Sequence, residues 1–405
     1  MRIFYAQSGG VTSVINTTLA ALIKKARESN DEVLIGINGI KGAINRQFVN
    51  SNILSEEDIF LIGQTPGGSF GSCRYKLQEK DLQTIDRFFS EEKIDAFIYH
   101  GGNDSQDTTA KISTYLSSIG RNILCLGLPK TIDNDLNGTD ICPGFPSASR
   151  FLNLALRQTC LDVRSMCNDS TKVFIIETMG RHTGWLTASC GVAHSAEFPG
   201  PQIILVPEIK HESLKIMEKI NRNVKKYGFC AIAISEGYEP DLSHTDSFGH
   251  GQLSNSGQKL QRLIKNNLGL KTHLSIPDYI QRSFYYASAD IDKEISIQIA
   301  EKAIINLHAG LSNKMIGIKI KTLSPLTYDL VSIDLEEVAN TEKMMPRDYF
   351  NEEGFELSSK GRAYFEALLI QKNGTIFPKF WPHFLNQNSI PETLQSPQRV
   401  QLLDL

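Results

Sequence analysis

Short, continuously apolar runs recur along this chain, and longer amphipathic stretches of helical period separate them. The runs are RIFYAQ (2–7), EVLIGI (32–37), IDAFIY (94–99), NILCLGL (122–128), KVFIIE (172–177), QIILVP (202–207), FCAIAI (229–234) and MIGIKI (315–320). Unbroken apolarity, rather than alternation, is what parallel strands covered on both faces require. Helical period fills 11–28, 79–91, 105–119, 146–167, 184–197, 210–226, 255–267 and 290–309. This βα order predicts an α/β fold: doubly wound, Rossmann-like three-layer domains with helices on both faces of each sheet. The strands fall into two clusters, so a junction is expected near 145 and a second crossover near 285. The division is then 1–145 with about 286–345 returning, 146–285, and a C-terminal extension over 346–405 comprising a helix (359–371) and a polar tail.

With 405 residues, 41% of them hydrophobic, the chain can bury more than one core. A net charge of −3 excludes a polyanion binder, because there is no basic excess to neutralise a phosphate backbone. Any phosphate recognition must be local. The seven cysteines include no C-x-x-C pair, and several sit in apolar runs, as Cys125 and Cys230 do. They read as reduced, mostly buried thiols of a cytoplasmic protein. The N-terminus enters a strand at once, with no signal-peptide pattern, and no run approaches a membrane span.

In open α/β sheets ligands gather beyond the carboxyl ends of strands. The polar, glycine-rich segments of this chain all follow strands directly, so they can converge on one cleft. Ser8-Gly9-Gly10 opens a helix whose free N–H groups suit a phosphate, although simple turn chemistry explains it as well. No G-K-[ST] follows, so it is not a Walker A loop. Thr65 to Arg74 is a Gly/Ser loop with room for the Arg74 fork to grip a phosphoryl group. Gly101-Gly102-Asn103-Asp104-Ser105 offers another helix start, where an Asp is also a common cap.

Lys130-Thr131-Ile132-Asp133-Asn134-Asp135 says most. One carboxylate can take a proton from an attacking hydroxyl, and a second can orient it or a Mg²⁺ ion. The lysine can neutralise phosphate charge. An Asx-rich turn accounts for Asn134 and one Asp but makes poor use of Lys130 and Thr131. Glu177 to Trp185, Ser235-Glu236-Gly237 and Asp278 to Ser283 are further strand-end clusters, weak singly. None of the nine histidines has metal-site spacing, so His100 and His182 read as hydrogen-bonding groups. Pro146 in the Pro-Gly-Phe-Pro-Ser stretch (143–147) has no functional reading.

Taken in order, SGG near 9, GGNDS, PKTIDND, ETMGRHTGW, SEG, YIQRS near 282 and AGLSNKMIGIK (309–319) resemble the phosphofructokinase family. The resemblance implies two α/β domains with the active site between them, and Mg²⁺-dependent phosphoryl transfer to O1 of fructose 6-phosphate. By matching motif it implies Asp133 as general base, Asp135 as its support, both as metal partners, and Arg74 and Arg181 on the transferring phosphoryl group. It implies Thr131, Met179, Gly180, Arg181, Glu236, Tyr279 and Arg282 around the sugar phosphate. Gly9, Gly10, Gly102, Asp104, Ser105 and Lys130 would take the donor. Lys172 falls where the family offers a basic residue to a neighbouring subunit's sugar phosphate, in a homodimer or homotetramer.

Two positions bear on the donor. ATP-using members have Gly where this chain has Asp104, and a small residue where it has Lys130. The pair looks like the pyrophosphate-dependent subgroup, since a carboxylate at 104 opposes the α-phosphate of ATP while a cation at 130 attracts a short donor. One departure is Asn103, where the family has an Asp that helps bind Mg²⁺. Asn103 keeps a carbonyl oxygen for metal or donor but no charge. The expected reaction is pyrophosphate plus fructose 6-phosphate giving phosphate and fructose 1,6-bisphosphate, reversibly, in glycolysis or gluconeogenesis. An ATP-dependent enzyme of the same family and a non-catalytic sugar-phosphate-binding regulatory subunit are the alternatives. A dinucleotide site lacks its G-x-G-x-x-G after the first strand.

Overall fold

The computed structural model describes residues 1–195, 198–238 and 256–377. A seven-stranded sheet is built from β1 (Arg2–Gln7), β2 (Glu32–Gly36), β3 (Phe48–Asn50), β4 (Ala96–Gly101), β5 (Leu124–Pro129), β10 (Lys314–Leu323) and β11 (Leu326–Asp334). A four-stranded sheet holds β6 (Val173–Thr178), β7 (Ile203–Leu205), β8 (Cys230–Ser235) and β9 (Thr272–Ser275). The orders are β11-β10-β5-β4-β1-β2-β3 and β7-β8-β6-β9.

Within the larger sheet β10, β5, β4, β1 and β2 run parallel, and the antiparallel strands β11 and β3 close its two edges. The smaller sheet is parallel throughout. Each apolar run of the sequence lies on one of these strands, and every residue of β4, β6 and β8 is buried. Each fully buried Val, Leu or Ile contributes about 1.5–3 kcal/mol, against about 1 kcal/mol net for a ladder hydrogen bond. Packing therefore fixes where the strands end, and so where the loops between them begin.

Strand order reverses beside β1, which has β2 on one flank and β4 on the other, and beside β6, flanked by β8 and β9. Crevices open at such reversals. The strands β3 and β9 are three and four residues long, and β11 alternates in burial, so none carries an apolar run. The helix Glu56–Gln64 begins at a capping box in which Ser55 and Asp58 bond each other's backbone N–H.

The helix Phe145–Met166 starts at Gly144 (φ 104°), with Pro146 in its first turn. Proline is at home there because its missing N–H would have no intrahelical partner. Asp292 completes the start, taking the N–H groups of Gly144 (2.8 Å) and Ser147 (3.1 Å). Burial pushes its carboxyl up to about 6, against the pull of those two N–H groups. The C-terminal helix Ser359–Leu369 is integral: Tyr364, Phe365, Leu368 and Leu369 are buried in the principal core. Residues 378–405 lie outside the described set.

Candidate active site

The carboxyl ends of both sheets face one cavity of about 710 Å³. From the larger sheet it receives Ser8, Gly9 and Gly10 after β1, Gly102 to Ser105 after β4, and Lys130 to Asp133 with Asp135 after β5. From the smaller sheet come Met179 and Arg181 after β6, Glu236 after β8, and Tyr279 and Arg282 beyond β9. Arg74 reaches in from its loop, exposed at the rim. Another hollow of about 550 Å³, beside β9, is lined by Gln258, Gln261, Arg262, His273 and Leu274 among others; its lining has no carboxylate.

The loop after β5 is the most strongly built. Asn134 takes a left-handed backbone (φ 55°) and is fully buried. Its amide nitrogen donates to the Tyr364 hydroxyl at 2.9 Å, and its oxygen accepts from the Cys142 N–H at 2.9 Å. The Tyr364 hydroxyl in turn donates to the Asp140 carbonyl at 2.6 Å. The C-terminal helix thus locks the turn from behind, so that Asp133 and Asp135, two residues apart, both reach the cavity. The Thr131 hydroxyl accepts the Asp133 N–H at 3.0 Å.

Electrostatically this corner is tense. Asp133 Oδ1 and Asp135 Oδ1 are shut off from solvent and accept no hydrogen bond. A buried unsatisfied acceptor costs about 1–3 kcal/mol, more when charged. Burial, then the charges of Asp135 and Glu236, push the Asp133 carboxyl up to about 7. Burial likewise raises Asp135. Lys130 is 3% exposed, and its ammonium donates to the Gly10 carbonyl at 2.5 Å. Burial, then the neighbouring cations Arg282 and Arg74, push it down to about 7. These free oxygens and crowded cations fit a ligand that is anionic and also supplies protons or metal charge.

On the opposite side the loops after β6 and β8 press together. A Cβ at Gly237 would meet the Arg181 carbonyl at 1.7 Å, and Gly180 has φ 126° with the Thr183 carbonyl 2.6 Å from such an atom. Only glycine allows that approach. It brings Glu236 Oε1 within 3.1 Å of the Gly180 N–H. Burial raises the Glu236 carboxyl. The Met179 N–H donates to Gln281 Oε1 at 3.1 Å. Arg282 crosses toward the larger sheet, lying close to Gly10. It also stacks over Tyr279, 4.8 Å from the ring centre.

The Phosphofructokinase family matches over residues 2–306. The chain belongs to the phosphofructokinase family. It is similar to the pyrophosphate–fructose 6-phosphate 1-phosphotransferase of Xanthomonas campestris pv. campestris (strain B100), 39% identical over 380 residues that cover 91% of each protein. The enzyme of that name from Halomonas elongata is 37% identical over 406 residues, covering 96% of this chain and 94% of its own length. The crystal structure of a pyrophosphate-dependent phosphofructokinase from Marinobacter aquaeolei matches with a TM-score of 0.84 at 36% identity, covering 94% of this chain and 95% of that one.

Of the site residues expected from sequence, Gly180 and Lys172 are absent from the cavity lining: Gly180 lies between the lining residues Met179 and Arg181, and Lys172 is well away. It precedes β6 at the amino end, where its ammonium donates to the carbonyls of Cys167 and Asn168. Asn103 lines the cavity, but both ends of its amide are engaged: Oδ1 accepts the Asn340 N–H at 2.7 Å, and Nδ2 donates to the Thr341 carbonyl at 3.1 Å. His100 bonds the Tyr5 hydroxyl through Nδ1 at 2.8 Å, and His182 bonds Glu342 at 2.6 Å. Sequence reasoning missed Asp107, Thr108, Lys111, Asn340 and Glu342, which also line the cavity. The first three stand three, four and seven residues beyond Asp104 on the helix Asn103–Ser118, so helical period could have found them. Asn340 and Glu342 arrive from more than 200 residues away in sequence and leave no local signal.

Proposed function

We propose that this chain transfers a phosphoryl group from pyrophosphate to O1 of fructose 6-phosphate, reversibly, giving fructose 1,6-bisphosphate and phosphate. The observation that carries the reading is that Asp104 and Lys130 line the same cavity as Asp133, with Asp104 exposed in the first turn of its helix and Lys130 buried beneath. A nucleoside triphosphate passing Asp104 would meet a carboxylate at its α-phosphate. Pyrophosphate ends short of it and gains the buried cation. The relatives named above share the pyrophosphate-dependent activity in their names.

In this reading the seven-stranded lobe (1–145 and about 286–345) holds the donor, and the four-stranded lobe (146–285) holds the sugar. Sheet membership supports the division. Gly9, Gly10, Gly102 and Ser105 offer backbone and hydroxyl donors to pyrophosphate, and its charge keeps Lys130 protonated. Asp133, poised near neutrality, takes the proton of the attacking sugar hydroxyl; Thr131 steadies it. Arg74 and Arg181 spread the charge of the transferring group. Met179, Gly180, Glu236, Tyr279 and Arg282 orient the sugar phosphate. Lys172, off this cavity, would serve the sugar phosphate of a second copy in a homodimer or homotetramer.

The acceptor-rich corner suits Mg²⁺, a hard cation held by one or two carboxylates and the donor's own phosphates. Asp133 and Asp135 carry the free oxygens for it. No cluster of three or more metal-binding side chains occurs among the described residues, so the remaining ligands would be phosphate oxygens and water. Bound there, the ion would offset charge on the transferring phosphoryl group. No helix among the described residues is long and apolar enough to cross a membrane, and we place the enzyme in the cytoplasm.

The test is initial-rate formation of fructose 1,6-bisphosphate from fructose 6-phosphate and Mg²⁺, with pyrophosphate and ATP in parallel. Turnover with pyrophosphate alone is expected. Turnover with ATP alone would overturn the donor assignment, and silence with both would favour a regulatory subunit.

A further inference from the structure

Five residues from Asn340 to Met344, of which Asn340 and Glu342 line the cavity, run as a strap along it, beyond the stretch that the family matches. The strap touches three of the loops that build the site. At the loop after β4, Asn103 grips it twice: the amide oxygen accepts the Asn340 N–H and the amide nitrogen donates to the Thr341 carbonyl. The Asn340 side chain adds a bond to Asp107 Oδ1 at 2.9 Å. At the loop after β5, the Lys343 N–H donates to the Asp135 carbonyl at 2.7 Å, and the Lys343 ammonium donates to the carbonyls of Thr139 (2.8 Å) and Asp140 (3.2 Å). At the loop after β6, Glu342 Oε1 meets His182 Nδ1 at 2.6 Å, and Trp185 Nε1 donates to the Lys343 carbonyl at 2.8 Å. Immediately beyond it, the Met345 N–H bonds Glu208, whose carboxylate also takes the Gly184 N–H.

We propose that Asn103 is a positioning residue that latches this strap, and that Glu342, so placed, holds His182 and with it the adjoining Arg181 loop in register with the donor loops. The chemistry of the amide decides this. Asn supplies one donor and one acceptor, and the strap presents a backbone N–H and a backbone C=O to match. An Asp at 103, the residue the family resemblance leads one to expect, would keep the first bond and face the Thr341 carbonyl with a second acceptor. The substitution to Asn therefore has a structural reason independent of metal binding. The strap joins both walls of the cavity through Asn103 on one side and His182 on the other. Arg181 precedes His182 in the chain, so the geometry of the phosphoryl-stabilising guanidinium depends on the tie. Misplacing a reacting group by an ångström can cost about 100-fold.

The proposal rests on the reaction proposed above, and its test separates the two. In the substrate-free protein, backbone amide exchange is followed at 341–343 in the unsubstituted chain and in Asn103→Asp. Selective loss of protection there in Asn103→Asp, with the thermal midpoint and exchange elsewhere preserved, is expected; unchanged protection overturns the latch whether or not the chain uses pyrophosphate. Steady-state kinetics with pyrophosphate then compare Asn103→Asp, Glu342→Gln and the double variant. Each single variant is expected to lower kcat by about 10- to 100-fold, with the half-saturating Mg²⁺ concentration within about twofold of the unsubstituted value. The double variant should be scarcely worse than the worse single one, since both break one tie. A lower half-saturating Mg²⁺ concentration with undiminished kcat in Asn103→Asp would make residue 103 a metal ligand and overturn the proposal. Independent, multiplying losses would overturn it as well. Glu342→Gln changes an exposed side chain, so it tests the tie even if Asn103→Asp folds poorly.

Discussion

The wall of the cavity that hangs from the seven-stranded sheet holds Lys130 buried, at 3% exposure, and the free oxygens of Asp133 and Asp135 closed off, while the wall from the four-stranded sheet holds Glu236 half-buried and Tyr279 65% exposed. Burial has driven a lysine down and an aspartate up toward the same value near 7 on the first wall. On the second, Glu236 and Met179 are engaged in single bonds to or from backbone groups. A wall whose groups sit near their midpoint can move protons and respond to an arriving charge. Glu236 and Met179, held by backbone bonds, are placed to recognise rather than to move protons. Substitutions at Asp133 and the donor pair should therefore fall on kcat and donor choice, and those at Glu236 and Met179 on the KM for the sugar; Arg181, which we propose acts on the transferring group, is the exception on the second wall.

The largest effect should come from Asp133→Asn, which keeps the shape and removes the carboxylate we propose as the base. We expect kcat to fall by about 10²–10⁴-fold with the KM for fructose 6-phosphate little changed. In the unsubstituted enzyme the same group should make kcat fall as pH drops below about 7, because Asp133 raised to that value is then protonated and cannot accept a proton. A loss confined to KM would erase the contrast between the walls. Next comes the donor pair. Asp104→Gly combined with Lys130→Gly should lower kcat/KM for pyrophosphate by about 10- to 100-fold, the worth of a charge-assisted bond. The ratio of ATP to pyrophosphate use should rise with it, and an unchanged ratio would remove both residues from donor selection.

On the opposite wall, Glu236→Gln should raise the KM for fructose 6-phosphate by about 10-fold and alter kcat less. The neutral amide can still accept the Gly180 N–H but gives a weaker bond to a sugar hydroxyl. A fall in kcat larger than the rise in KM would mean that Glu236, like Arg181, also shapes the transition state.

Both walls were legible in the sequence to the extent that they are local. The apolar runs located the buried strands, and polar residues that follow five of them, β1, β4, β5, β6 and β8, lie where the packing ends, at the cavity. Asp133 and Asp135 could be picked out because one short turn presents both. What escaped was long-range or short. The strands β3 and β9 have too few residues for a pattern. Tyr364 supports the Asn134 turn from 230 residues away, and Asn340 meets Asn103 across 237. Asn103 itself was visible as an oddity, but the partner that explains it is fixed only by the fold.

The smallest effect tests whether the burial that tunes the first wall also makes the fold sensitive to pH. His100 is the last residue but one of β4, fully buried, with Nδ1 on the Tyr5 hydroxyl. Burial, then the charge of Lys130, push it down to about 3 from its usual 6.5. In the unfolded chain the ring takes a proton near 6.5; in the folded chain it does so only near 3. Between those values the unfolded state binds more protons, so this residue makes stability fall as pH drops below about 6.5 and contributes no slope above it. Denaturant midpoints at about pH 7.5 and about pH 5 should show the unsubstituted chain losing up to about 2 kcal/mol more than His100→Asn, whose side-chain oxygen can still accept the Tyr5 hydroxyl. Equal losses would mean that the pocket behind the first wall opens readily to water, and the near-neutral values of Lys130 and Asp133 would then need a source other than burial.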